Sequence, residues 1–221
     1  SGMIHPNMAT TLGFVMTDAV LTPAQLKPLL KTAVDRSFNR LSVDGDTSTN
    51  DTVLLLANGA SGVKPTAKEL KLIGDALNQV LESLAAQIAR DGEGARKCVT
   101  IQISGAKNDA EATKIARAIA NSPLVKTAIA GSDANWGRIL TAAGYSGAKF
   151  DPAKVSISLQ NVPVCKNGLA ADFDEAKLQK LLNDPDCSIL FSIAGKGKGQ
   201  SKFWTCDLTE GYIEINGSYR T

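Results

Sequence analysis

Apolar and polar positions along the chain alternate with two distinct periods, and the changes between them mark out the elements. The short, partly β-branched run Leu12 to Thr17 predicts a buried strand. Thr22 then reads as the N-cap of a helix, with Pro23 at its first position and Gln25 completing a capping box. Leu26, Leu30, Ala33, Val34 and Phe38 line one face of that helix, which should end near Arg40. The polar run VDGDTSTND, residues 43–51, is a loop by composition, and Thr52 to Ala57 follows as a second buried strand. From Thr66 to Arg90, Leu70, Ile73, Leu77, Leu81, Leu84 and Ile88 recur at helical spacing, and Asp91-Gly92 closes the segment.

Beyond Gly94 the pattern predicts strand Cys98 to Ser104, helix Asp109 to Asn121, strand Leu124 to Ala130 and a helix near Trp136. Strand Lys154 to Gln160, a turn at residues 165–168 and a helix around Phe173 to Leu182 come next, followed by three closing strands ending at Asn216. This order argues for an α/β protein with a mixed sheet covered by helices on one face, and a domain boundary is expected near residue 96.

Composition narrows the function classes. The 221 residues are 43% hydrophobic, enough for a substantial core. Lys and Arg together number 24 against 22 for Asp and Glu, and no basic block alternates with aromatics, so nucleic acid is not expected as a partner. No apolar run approaches the roughly 18 residues of a membrane span. The opening SGMIHPNMATT lacks the charged and apolar regions of a signal peptide, so a soluble protein is expected. Cys98, Cys165, Cys187 and Cys206 are widely spaced in apolar stretches and read as reduced core thiols.

One histidine, His5, cannot build the usual serine, cysteine or zinc sites, so a catalyst made from this chain needs another base. His5 itself is expected to face solvent. The acidic pair Asp44 and Asp46 lacks the spacing of a calcium loop and reads as a turn network, so no metal is expected. The stretch GKGKGQ, residues 195–200, precedes a strand rather than a helix, and reads as a mobile hairpin rather than a phosphate cradle. In GSDANWG, residues 131–137, Asp133 and Asn135 are placed to cap a helix beginning at Trp136.

The Ala9-Thr10 pair, just before the first strand, offers the missing base. Were that bond cut, Thr10 would carry a free α-amine beside its own hydroxyl. Such an amine has an ordinary pKa of about 8, so part of it is neutral near neutral pH and can accept the hydroxyl proton. The branched Cβ also restricts the rotamers of the attacking oxygen.

Five segments, SGMIHPNMATTLGFVMT at the start, VDGDTSTND, GEGARK at residues 92–97, GSDANWGR and the closing INGSYRT, together resemble the ornithine acetyltransferase family, in the right order and from the first residue to the last. The resemblance implies a layered αββα sandwich with a smaller C-terminal α+β domain. It assigns residues 1–96 to the nucleophile-bearing part and 97–221 to the domain that completes the substrate pocket. It further implies self-cleavage between Ala9 and Thr10, Thr10 as nucleophile and substrate contact, and Glu93, Asn216 and Thr221 as substrate-binding residues. Thr11 stands where family members usually have methionine, and Arg96 where they usually have threonine.

The implied activity is acetyl transfer from N-acetylornithine to glutamate, with no bound cofactor and acetyl-CoA as an optional donor. The resemblance also implies an upstream α chain that carries the oxyanion donors, an α2β2 heterotetramer of the two chains, and a location in the cytoplasm or, in fungi, the mitochondrial matrix. A zwitterionic amino acid needs a carboxylate for its ammonium and neutral donors for its carboxylate, which Glu93, Asn216 and Thr221 supply. An amidase or aminopeptidase on a related scaffold, and an unprocessed non-catalytic subunit, are the alternative readings.

Overall fold

A computed structural model describes residues 1–7 and 11–218. Its Cα packing divides the chain into two compact units, Gly2–Gln87 and Ile88–Thr221, with Ser1 joining the second. Strands, helices and a mixed sheet make the protein α/β.

The first unit contains β1 (Leu12–Thr17), α1 (Pro23–Arg36), a 3-10 turn (Phe38–Arg40), β2 (Thr52–Ala57) and most of α2 (Ala67–Arg90). β1 and β2 pair in parallel, Leu12 beside Thr52 through Thr17 beside Ala57. The capping residue anticipated for α1 is in place: Gln25 Oε1 accepts from the Thr22 backbone N–H at 2.9 Å. Thr66 and Glu69 start α2 in the same way, with the Thr66 N–H donating to Glu69 Oε2 at 2.8 Å. Ala33, Val34, Phe38, Leu77, Leu81 and Ala85 are buried, and Arg36 pairs with Glu82 at 3.2 Å. The other face of the small sheet is apolar and open. Leu12, Phe14 and Met16 are 70%, 58% and 75% exposed, and Leu54 and Leu56 lie beside them at 41% and 48%.

The second unit is built on a six-stranded sheet. Its elements in chain order are β3 (Cys98–Ala106), α3 (Asp109–Ala120), α4 (Pro123–Ala130), α5 (Trp136–Gly144), β4 (Val155–Leu159), β5 (Val162–Lys166), β6 (Leu169–Ala170), α6 (Glu175–Leu181), β7 (Asp186–Ile193), β8 (Gly199–Cys206) and α7 (Glu210–Ser218). Strand order is β6-β5-β4-β7-β3-β8, with only β3 and β7 parallel. Val99, Ile101 and Ile103 of β3 alternate inward with Ile157 of β4 and Ile189 and Phe191 of β7, forming one core with Ile115, Ile119 and Ile139 of the helices. The opposite face of the same strands carries Thr100, Gln102, Ser188 and Lys202, none of them buried. The period-two pattern therefore fixed which face meets the helices.

Four expectations fail here. β1 and β2 form where expected but are not buried strands: none of residues 12–17 and 52–57 is buried, because one face of this two-stranded sheet is uncovered. Residues 124–130 form helix α4, not a strand: Ser122 caps it by accepting from the Val125 N–H, Pro123 fills its first turn, and Val125, Ala128 and Ile129 are buried at helical spacing. Only two strands, β7 and β8, close the sheet, and the segment ending near Asn216 is helix α7. Residues 195–198 are no hairpin either, because β7 and β8 flank β3 on opposite sides and their connection crosses the end of β3. That crossing explains its glycines. A Cβ on Gly197 would lie 2.3 Å from the Gly105 carbonyl oxygen, and one on Gly199 would lie 2.2 Å from the Asn108 carbonyl carbon.

Candidate functional site

Glu93 lies in the turn that ends α2, where its N–H donates to the Ser1 carbonyl at 2.9 Å and Ala95 N–H donates to the Gly92 carbonyl at 2.9 Å. Gly94 follows with φ +69°, and a Cβ there would stand 2.3 Å from the backbone nitrogen of Tyr212. Glycine is thus required twice over, for its dihedral and for the close approach of α7. The first turn of α7 is tied to this bend. Thr209 Oγ1 donates to the Gly94 carbonyl at 2.6 Å and accepts from the Gly211 N–H at 3.1 Å, while the Arg96 guanidinium pairs with Glu210. The Glu210 carboxylate is held below its ordinary pKa by its own backbone N–H and then by Arg96.

Just before α7, Asp207 is buried, and its Oδ1 accepts from the N–H groups of both Arg96 and Lys97 at 2.9 Å. Its other carboxylate oxygen is buried with no hydrogen-bond partner among the described residues. These contacts aim α7 so that Asn216, two turns along it, meets Glu93. Asn216 Nδ2 donates to Glu93 Oε2 at 2.9 Å and to the Tyr212 carbonyl at 3.1 Å. Two residues 123 apart in sequence become hydrogen-bonded partners at the surface. A carboxylate and a primary amide are the side-chain types that recognise the two ends of an amino acid, and here both Asn216 N–H donors are engaged by Glu93 and Tyr212, so a substrate carboxylate would have to displace one of these bonds.

Of the other anticipated site residues, Ala9, Thr10 and Thr221 lie outside the described residues. Their neighbour Thr11 is buried in the first unit, its N–H donating to Asp51 Oδ1 at 2.8 Å and its carbonyl accepting from the Thr52 N–H at 2.8 Å. Asp44 is a turn anchor, as expected, accepting from the Asp46 N–H, and it also ties down the chain start by accepting from the N–H groups of Met3 and Ile4. Among the described residues no cluster of His, Cys, Asp and Glu could hold a metal ion. Asn135 caps α5 by accepting from the Arg138 N–H, and the same GSDANWG motif lines a cleft of about 520 Å³ with Phe173 and Glu175. Sequence reasoning missed Asp207, Thr209 and Glu210; the only local signal was a Thr-x-Gly turn pattern ahead of the last segment.

The model of the ArgJ family matches residues 1–221. The chain belongs to the ArgJ family. It is 50% identical over its whole length to the arginine biosynthesis bifunctional protein ArgJ of Bradyrhizobium diazoefficiens, 55% of which it covers. It is 45% identical, again over its whole length, to the mitochondrial protein of that name from Yarrowia lipolytica, covering 53% of it. Among solved structures, the crystal structure of the ArgJ protein of Bacillus halodurans superposes with a TM-score of 0.91 at 41% identity, spanning 95% of this chain and all of that one. The chain spans a little over half the length of the curated ArgJ relatives it matches. No helix among the described residues is long and apolar enough to cross a membrane.

Proposed function

We propose that this chain is the nucleophile-bearing portion of an acetyltransferase of arginine biosynthesis, moving acetyl from N-acetylornithine to glutamate. The observation that carries the reading is the Glu93–Asn216 pair, assembled by the two family-like segments GEGARK and INGS. Cleavage between Ala9 and Thr10 frees the Thr10 α-amine, which takes the proton of the Thr10 hydroxyl as that oxygen attacks the acetyl carbonyl. Ornithine departs with the proton, leaving an acetyl ester on Thr10. The amine of glutamate then attacks the ester carbonyl, and the acetyl group moves to nitrogen while the hydroxyl recovers its proton. Glu93 holds the ammonium of the amino-acid substrate, and Asn216 and Thr221 hold its carboxylate. No bound cofactor enters either half-reaction; acetyl-CoA is an optional donor.

The oxyanion donors come from the upstream half of the precursor, the α chain, and two copies of each chain make a heterotetramer. The relatives' greater length supports a missing half. So does the open apolar face of β1 and β2, which a layered αββα arrangement would cover with a second sheet. Working compartments are the bacterial cytoplasm or, in fungal members, the mitochondrial matrix, as the names of fungal relatives suggest.

The test is to produce the precursor with both halves and follow its mass and products. Processing should detach everything up to Ala9 from a chain beginning at Thr10, and acetylglutamate should accumulate from N-acetylornithine plus glutamate. Thr10→Ala should block both. Acetate without acetylglutamate would assign the protein to the amidases, and retained transfer in the Thr10→Ala protein would remove the nucleophile from the scheme.

A further inference from the structure

Strand β8 is the edge of the six-stranded sheet, with β3 as its neighbour, and Cys98 stands opposite Cys206 in their antiparallel register. The hydrogen bonding decides how close the two side chains come. Asp207 N–H donates to the Lys97 carbonyl at 3.1 Å, while Cys98 N–H turns the other way, to the Pro185 carbonyl at 2.8 Å. Cys98 and Cys206 therefore form a non-hydrogen-bonded pair, the kind whose Cα atoms lie about 4.5 Å apart with side chains adjacent. That spacing falls at the short end of the range of about 4.4–6.8 Å that a disulfide spans.

The surroundings favour these two sulfurs over the others. All four thiols are buried, these two at 4% and 1% exposure, so it is neighbouring charge and register that set them apart. Lys126 reaches from α4 to place its ammonium 3.6 Å from Cys206 Sγ while donating to Thr205 Oγ1 at 3.0 Å and to the Cys206 carbonyl. A cation at that distance stabilises negative charge on sulfur. The Lys126 ammonium beside it makes Cys206 the sulfur to react first, while burial pushes the Cys98 thiol up to about 11, Arg90 opposing the shift and Asp186 and Cys206 adding to it. The other two thiols point elsewhere. Cys187 is paired with Val99 on the opposite face and donates to the carbonyls of Leu182 and Asp184; Cys165 donates to the Val155 carbonyl.

We propose that Cys98 and Cys206 close into a reversible cross-strand disulfide on exposure to a hydroperoxide, fastening the edge strand that leads into α7. The Cys206 thiolate attacks one peroxide oxygen, giving a sulfenic acid and releasing water once the leaving hydroxide takes a proton. Cys98 sulfur then attacks Cys206 Sγ; the S–S bond forms, the S–O bond breaks, and the departing hydroxide leaves as water with the Cys98 proton. One hydroperoxide is reduced by two electrons and two thiols become one disulfide. A short cross-strand bond of this kind is strained and easily reduced, which suits a switch rather than a permanent staple. The device is independent of acetyl transfer.

The test uses the native protein, treated with hydrogen peroxide, capped with an alkylating agent and digested with trypsin without reduction. Cys98 opens the tryptic peptide 98–107 and Cys206 lies in 203–220. The expected product is these two peptides joined with the loss of two hydrogens, returned to separate alkylated peptides by prior dithiothreitol. Cys98→Ser or Cys206→Ser should abolish the joined product, whereas Cys187→Ser should leave it. Four alkylated thiols after peroxide would overturn the proposal. So would Cys206 ending only as sulfinic acid, or joined to Lys126, to Cys187 or to a second molecule.

Discussion

Replacing Asp207 by alanine should destabilise the second unit by about 2 to 3 kcal/mol. The carboxylate is 2% exposed, and one of its oxygens accepts two backbone N–H groups, from Arg96 and Lys97, at 2.9 Å each. Hydrogen bonds to a charged group contribute about 1.5 to 3 kcal/mol apiece, and alanine leaves both donors unmet, that of Lys97 in a buried position. Against this, the second oxygen is buried without a partner, and alanine removes that penalty of about 1 to 3 kcal/mol. Taken at corresponding ends, the two ranges differ by about 2 to 3 kcal/mol in favour of the wild type. Asparagine separates the two effects: its amide oxygen can take both N–H groups, so Asp207→Asn should stay within about 1 kcal/mol of wild type. Urea unfolding followed by the fluorescence of Trp136 and Trp204 gives the stabilities, and hydrogen exchange over residues 211–218 should quicken in the alanine protein alone. An alanine variant within about 0.5 kcal/mol of wild type, or an asparagine variant as damaged as alanine, would refute the assignment of Asp207 as the anchor of α7.

Three further outcomes are expected. Gly94→Ala must strain a φ of +69° and press a methyl against the Tyr212 nitrogen, so α7 should shift; acetyl transfer by the complete protein should fall at least about tenfold, with KM for N-acetylornithine raised, as steady-state kinetics would show. Phe14→Glu, on the open face of β1, should leave the far-UV circular dichroism of this chain unchanged but cut its capture by a tagged upstream half about tenfold or more; undiminished capture would mean the face is not the contact. Glu69 is held below its ordinary 4.5 by the Thr66 N–H and then the Thr66 hydroxyl. With the folded pKa depressed, its stabilisation is complete above the ordinary carboxylate range and lost as pH falls through the folded value, so the fall in Tm between pH 6 and pH 3 should be shallower in Glu69→Gln.

Most of the fold was legible because local chemistry and burial agree. The capping box at Thr22, the Asn135 cap of α5 and the long apolar stripe of α2 each fix an element from neighbouring residues alone. Residues 124–130 misled because Val125, Thr127 and Ile129 favour strands individually, while Ser122-Pro123 ahead of them is a helix start that outweighs those preferences. The segment EGYIEINGS reads as a strand by alternation, yet Thr209 and Glu210 at its start are tied to Gly94 and Arg96, which lie more than a hundred residues upstream. The crossing at residues 195–198 escaped for the same reason, since nothing nearby in sequence says that β3 separates β7 from β8. In the site, the types of Glu93 and Asn216 were readable from family-like segments, but their meeting depends on α7, whose docking no window of sequence displays.

The position of β3 has a consequence for how the molecule is made. Its two neighbours, β7 and β8, begin at residues 186 and 199, so the strand at the centre of their ladder is synthesised some ninety residues before either partner exists. At translation speeds of about 5 to 20 residues per second, Val99, Ile101 and Ile103 spend several seconds on the nascent chain with α3 as the nearest apolar shelter. Ribosomal synthesis thus leaves this unit unfinished until residue 206 has been made, and a chain cut before residue 186 forfeits the centre of the sheet, not its fringe.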